Sequence, residues 1–245
     1  MKEYFERLYK GDCASFYELL KKSLTENEKK FVVTANPEAF MYGKNDSEVN
    51  ALLIDEEVAV VADGIGIVKG AAIAGINLPE RIPGVDIAKQ LFEFGDQLSS
   101  SVYLFGSKQE VIDAMLEVLK KDYPNLKIAG AQNGYVADKD AVFEEIKQVK
   151  PDIVLVALGI PAQEKLIYKH LKDFEKGIFV GVGGSLDVLS GTKKRAPEFF
   201  INHNIEWLYR IAKEPKRIKR FINNNIKFFI DLKKELKQNK AKEPN

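Results

Sequence analysis

Asp63 follows the apolar run Val60-Val61-Ala62 and precedes Gly64. A carboxylate at the tip of a buried strand can act as a general base towards an attacking hydroxyl. The same place suits an Asp that caps the next helix, and in isolation the cap is the simpler role. Thr34 and Asn36, just before Pro37, offer hydrogen-bonding groups for a sugar or base, or else shape a turn. Gly183-Gly184-Ser185 lets backbone N–H groups approach an anion, although it matches neither the Walker A pattern nor the dinucleotide fingerprint, and a tight turn has the same composition. Arg81, Arg195, Arg210, Arg217 and Arg220 form a set. Guanidinium forks pair with phosphate oxygens and stay charged, so several converging on a diphosphate would do the work of a divalent cation, whereas isolated arginines on a helix only aid solubility.

Other chemistries find little support. There is no Gly-x-Ser-x-Gly elbow, no His-Glu-x-x-His and no kinase signature. The two histidines, His170 and His203, read as surface or core residues, and the single Trp207 as a packing anchor. Asp138-Lys139-Asp140 resembles a metal-holding aspartate pair but precedes a helix instead of ending an apolar strand, which makes capping its expected task. With one cysteine, Cys13, and two distant histidines, neither a disulfide framework nor a recognisable metal-ligand spacing exists, so no metal and no cofactor are expected.

The chain that must position these groups has 245 residues, 45% apolar and 30% charged, enough for a substantial core without covalent staples. No apolar run reaches the roughly 18 to 20 residues of a membrane-spanning helix, and acids near the start argue against a signal peptide, so a cytoplasmic location is expected. From Lys213 onward there are eleven Lys or Arg against four acids, a net of +7, which leaves −6 for the rest of a chain whose total is +1. A basic tail on an acidic body suggests an anionic surface as partner.

β-Rich apolar runs at 31–35, 58–61, 102–105, 126–129, 153–158 and 178–182 alternate with helical spacing at 47–54, 65–74, 86–98, 109–121, 140–148 and 163–174. A first helix is expected from Ser15 to Thr25, with Ser15 and Glu18 as a capping box. The pattern is that of an α/β fold, a parallel sheet flanked by helices, over residues 1–195. Residues 196–245 read as a basic, amphipathic helical appendage, with one helix over 205–212 and another over 216–237. Ile218, Phe221, Ile222, Ile226, Phe229, Leu232 and Leu236 fall on one side of the second. In parallel sheets ligands bind beyond the C-terminal strand ends, so the loops after the first, second, fifth and sixth runs are expected to share one cleft.

The motifs Thr34-Ala35-Asn36-Pro37-Glu38, Asp63-Gly64-Ile65-Gly66, Pro79-Glu80-Arg81-Ile82-Pro83-Gly84-Val85-Asp86 and Leu158-Gly159-Ile160-Pro161-Ala162-Gln163-Glu164-Lys165 stand in that order. They continue through Gly181-Val182-Gly183-Gly184-Ser185-Leu186-Asp187, Lys194-Arg195-Ala196-Pro197, Glu206-Trp207-Leu208-Tyr209-Arg210 and Glu214-Pro215-Lys216-Arg217-Ile218-Lys219-Arg220. As an ordered series the chain resembles the WecG/TagA/CpsF family of bacterial glycosyltransferases (glycosyltransferase family 26) from about Phe31 to Arg220. The resemblance implies a Rossmann-like fold and an enzyme peripheral on the inner face of the plasma membrane. Such an enzyme moves N-acetylmannosamine from UDP to undecaprenyl-diphosphate-linked N-acetylglucosamine with inversion and without a metal, for teichoic acid or a related surface polysaccharide. It further implies Asp63 as general base, Thr34 and Asn36 as substrate-positioning groups and Gln163 as a contact to sugar or nucleotide. Gly183 and Gly184 would line the nucleotide pocket, and Arg81, Arg210, Arg217 and Arg220 would bind phosphate. Gly159, Pro161, Glu164, Ser185, Asp187 and Arg195 are the further substrate-binding positions it suggests, and it points to self-association. The sequence departs from the family's usual opening through a helix-like segment from Tyr4 to Leu24.

Two alternatives stay open. One is the same fold using another donor, such as UDP-glucose or UDP-N-acetylmannosaminuronic acid, in capsule or exopolysaccharide synthesis. The other is a non-catalytic nucleotide- or nucleic-acid-binding module whose tail contacts phosphates; the absence of a base-stacking motif argues against a nucleic-acid partner.

Overall fold

The computed structural model describes residues 1–213, 218 and 222–240. Six strands, β1 (Lys29–Ala35), β2 (Val58–Ala62), β3 (Ser101–Gly106), β4 (Lys127–Gln132), β5 (Ile153–Ala157) and β6 (Gly177–Gly181), form one parallel sheet in the order β2-β1-β6-β5-β3-β4. All six match the β-rich runs of the sequence. The inner strands are buried on both faces, and alternate residues supply two separate cores. Phe31, Val33, Val154 and Val156 face one core, while Val32, Ile153, Leu155 and Val180 face the other.

The first core is closed by α1 (Lys2–Arg7), α3 (Pro37–Asn45), α4 (Ser47–Ile54), α5 (Ile65–Ile73), α8 (Lys139–Val149) and α9 (Ala162–His170). The second is closed by α2 (Cys13–Thr25), α6 (Gly84–Leu98), α7 (Gln109–Asp122) and the short α10 (Ser185–Leu189). The capping box expected at Ser15 is replaced by a cap on the residue immediately before the helix. Asp12 is the N-cap, and its carboxylate accepts both the Ser15 N–H at 2.8 Å and the Ser15 hydroxyl at 2.6 Å, leaving Ser15 inside the first turn. The segment after Asn36, read as loop, is helical because Pro37 fits the first turn and Asn36 caps it, accepting from Ala39 N–H at 3.0 Å. Asp138 caps α8 as expected, accepting from Ala141 N–H at 3.1 Å.

Beyond β6 lie α11 (Glu198–Asn202), α12 (Glu206–Lys213), a π-helical turn (Ile222–Ile226) and α13 (Lys227–Lys240). The apolar residues of the tail divide between two directions instead of sharing one side. Phe228 and Leu232 are fully buried in the first core, with Phe229 and Leu236 packed beside them, whereas Ile222, Ile226 and Ile230 remain 45%, 50% and 49% exposed. A stripe drawn at 3.6 residues per turn assumes an unbroken α-helix, and the π turn changes the phase ahead of α13. Phe221 lies outside the described residues. The Phe228 ring meets Phe5 and Phe40 at centroid distances of 6.1 and 6.2 Å. It passes directly over Gly70 of α5, where a Cβ would come within 2.8 Å of it. Asp231 pairs with Lys44 at 2.6 Å, and Glu235 accepts from the Met1 ammonium at 2.7 Å.

Candidate active site

The four loops expected to share a cleft follow β2, β1, β6 and β5, which are consecutive neighbours in the sheet. Their C-terminal ends are level. Asp63 N–H donates to Ala35 O at 2.8 Å, the Thr34 hydroxyl donates to Gly181 O at 3.0 Å, and Val182 N–H donates to Val156 O at 2.8 Å. Thr34, Asn36, Asp63, Gly159 and Gly183 therefore lie along one edge.

Asp63 is partly exposed at the tip of β2. The N-cap of α5 is Gly64, so Asp63 stands one residue before the cap position. Thr34 is buried, and its hydroxyl ties β1 to β6. Asn36 spends its amide oxygen on the cap of α3.

A lattice of opposite charges stands beside Asp63. Arg195 makes a bidentate pair with Asp86 in the first turn of α6, at 2.8 and 3.1 Å. Burial works against the Arg195 charge, yet the Asp86 bond together with the fields of Asp86, Glu206 and Asp63 holds its pKa above the ordinary value. Arg81 lies 3.7 Å from the Glu206 carboxylate of α12, and both side chains are mostly buried, which fastens the start of the tail to the edge. Arg210 falls within α12. Arg217 and Arg220 lie outside the described residues.

The glycine loops are joined from below. Gln163 is 1% exposed, and its amide oxygen accepts from Gly159 N–H and from Gly183 N–H, each at 3.0 Å. Its amide nitrogen donates to Glu164 Oε1 at 2.8 Å. Burial pushes the Glu164 carboxyl up to about 7, opposed by the Gln163 bond and assisted by Glu38. Gly183 has φ of +50°, which a side chain would resist, but Gly184 has an ordinary φ of −79° and open space where a Cβ would stand. Among the described residues, neither backbone conformation nor packing demands a glycine at 184. Ser185 turns its hydroxyl back to Val182 O at 2.6 Å, and Asp187 accepts from Ser107 at 3.3 Å and pairs with Lys193 at 2.9 Å. Pro161 is the N-cap of α9.

Asp86, Glu206 and Glu38 stand in the motifs quoted above without a role, because their significance depends on partners that only folding supplies. His170 is buried at the far end of α9 from Gln163, stacked on Phe143 at 4.9 Å and 2.6 Å from Asp140 Oδ1. Glu144, His170 and Asp173 bring ligand-type atoms within 4.8 Å of one another there, away from the edge that carries Asp63.

Comparison with known proteins finds matches over almost the whole chain. The model of the Glycosyl transferase WecG/TagA/CpsF family matches residues 7–242. The N-acetylglucosaminyldiphosphoundecaprenol N-acetyl-beta-D-mannosaminyltransferase of Bacillus spizizenii is 40% identical over 197 residues, covering 80% of this chain and 76% of that protein. The proteins of the same name from Bacillus subtilis and Staphylococcus aureus (strain MW2) are 36% and 38% identical, each over 86% of this chain and over 82% and 83% of their own lengths. With a family match extending from α1 into the tail and relatives 36% to 40% identical over most of their own lengths, the chain belongs to the WecG/TagA/CpsF family of glycosyltransferases.

Proposed function

We propose that the chain transfers N-acetylmannosamine from UDP to undecaprenyl-diphosphate-linked N-acetylglucosamine, inverting the sugar at C1 in a single displacement. The observation that carries this reading is a partly exposed carboxylate, Asp63, on the same strand edge as the Gly183-Gly184 turn and beside the Arg81 and Arg195 guanidinium groups. The names of the relatives supply the donor sugar and acceptor.

In this scheme the acceptor hydroxyl attacks C1 while Asp63 takes its proton, a contribution of about 10² to 10⁴ in rate. UDP departs as its bond to C1 breaks, and guanidinium groups stabilise the charge that develops on it. Arg81 and Arg195 mark where anionic oxygens are already stabilised, since each holds a carboxylate now. Arg210, Arg217 and Arg220 are assigned to the same task from the tail. Thr34 and Gln163 serve by holding the strand ends and loops in place, and Gly184 leaves room for the close approach of a phosphate.

The acceptor's lipid remains in the bilayer, so the site has to reach the membrane surface. Among the described residues no helix is long and apolar enough to cross a membrane. The outward row Ile222, Ile226 and Ile230, in a tail rich in Lys and Arg, is assigned to lie against the anionic inner leaflet, with about 1 kcal/mol from each basic residue near the surface.

The test is incubation with UDP-N-acetylmannosamine, UDP-glucose and UDP-N-acetylmannosaminuronic acid, each with a short-chain lipid-diphosphate-linked N-acetylglucosamine. Turnover of the first is expected. Turnover of UDP-glucose alone would overturn the donor assignment, and no turnover of any donor would overturn the transferase reading.

A further inference from the structure

The chain of contacts beneath the glycine loops ends on a carboxyl group that the transfer scheme does not use. Glu164 is 2% exposed in the first turn of α9. Its Oε1 accepts from the Gln163 amide nitrogen, whereas its Oε2 is buried with no hydrogen-bond partner among the described residues. Both side chains press on the last residue of β6, since a Cβ at Gly181 would stand 2.7 Å from the Gln163 nitrogen and 3.0 Å from Glu164 Oε1. An amide can be turned either way in such a pocket, and the turn matters. With its NH₂ on Glu164, the Gln163 oxygen faces the two glycine N–H groups; reversed, its NH₂ would face two donors and leave three polar groups unsatisfied.

We propose that Glu164 is a positioning residue of the donor site: its carboxyl oxygen orients the Gln163 amide, whose oxygen bridges Gly159 and Gly183 and thereby sets the gap between the two glycine loops. This rests on the transferase reading of the edge. A neutral group follows from its surroundings, because an ionised carboxylate with one oxygen buried and unpaired has a large desolvation cost.

The charges on the neighbouring elements do not relieve that cost. Glu38 in the first turn of α3 is the group that acts on Glu164, and it is another acid. Asp46 and Glu48, before and within α4, are engaged with Lys165. Asp140 of α8 is engaged with Lys169 and His170, and Asp173 in the turn after α9 approaches His170. β5 and β6 carry no charged residue, and those of β1, Lys29 and Lys30, are at its opposite end.

The experiment compares wild type, Glu164→Gln and Glu164→Leu, reading the hydrogen-exchange protection of the Gly159 and Gly183 amides and the affinity for UDP. Glu164→Gln keeps an oxygen acceptor without a titratable group, and Glu164→Leu removes the acceptor while filling the space. Expected are loss of protection at both glycines and about tenfold weaker UDP binding in Glu164→Leu, with both properties retained in Glu164→Gln. Unchanged glycine protection in Glu164→Leu overturns the proposal, as does a Glu164→Gln variant that behaves like Glu164→Leu. Failure of wild type to bind UDP would count against the transferase reading, while the amide protection would still decide the positioning role.

Discussion

The docking of α13 can be tested through one ring. Phe228 is fully buried between Phe5, Phe40 and the Gly70 surface of α5, so replacing it by Ala empties a ring-sized space that rigid neighbours cannot refill. Phe-to-Ala changes in such places cost about 3 to 5 kcal/mol. The ion pair between Lys44 and Asp231 is partly solvated, with side chains 41% and 16% exposed, and adds only about 0 to 1 kcal/mol. Leu232 then remains as the main apolar contact of the helix. At about 1.4 kcal/mol per factor of ten, Phe228→Ala shifts the docking equilibrium of α13 by roughly 10² to 10⁴. Hydrogen exchange reads this directly. Amides of α13 should lose protection by that factor, those of β1, β5 and β6 should keep theirs, and transfer should fall if the tail arginines complete the site. Two results would refute the reasoning: undiminished protection in α13, or equal loss throughout the sheet, which would make helix and sheet a single cooperative unit.

Asp63→Asn should lower transfer by about 10² or more while leaving UDP affinity within a few-fold of wild type, measured by turnover and calorimetry. Gly184→Val should leave the melting temperature nearly unchanged, because φ there is ordinary and the space is open, yet weaken UDP binding; unaltered binding would remove Gly184 from the phosphate site. Glu164→Gln should be more stable than wild type above pH 7, with the difference closing towards pH 4.5. The raised carboxyl, about 7 against an ordinary 4.5, favours the folded state only while protonated and loses about 3 kcal/mol as it ionises, as denaturant titrations across pH would show. Gly70→Ala should destabilise α13 docking despite the better helix propensity of Ala. Its Cβ would lie 2.8 Å from Phe228 and 2.9 Å from Phe5, an overpacking cost of about 1 to 3 kcal/mol against a gain of about 1.

The six strands were legible in the sequence because β-branched runs buried on both faces have few other uses, and the Asp138 cap because it depends on residues within one turn. The presence of Asp63, Thr34, Asn36, Gly159 and Gly183 at strand ends was equally readable, and parallel pairing then puts them at one edge. The cap of α2 and the helix after Asn36 were misread: Asp12 and Ser15 both have capping chemistry, and a Pro after Asn suits a turn as well as a first helical turn.

What only the tertiary structure decided are relations between distant segments. The order β2-β1-β6-β5 makes neighbours of loops that the chain visits far apart. Arg195 finds Asp86 across 109 positions, Arg81 finds Glu206, and Gln163 joins two loops through one amide oxygen. The tail's apolar residues divide between core and solvent because a π turn alters the helical phase, and the Glu164 environment depends on α3 and β6 closing over it. Periodicity and capping act within a turn or two of chain, whereas charge pairing, desolvation and helix phase depend on which surfaces the finished sheet brings together.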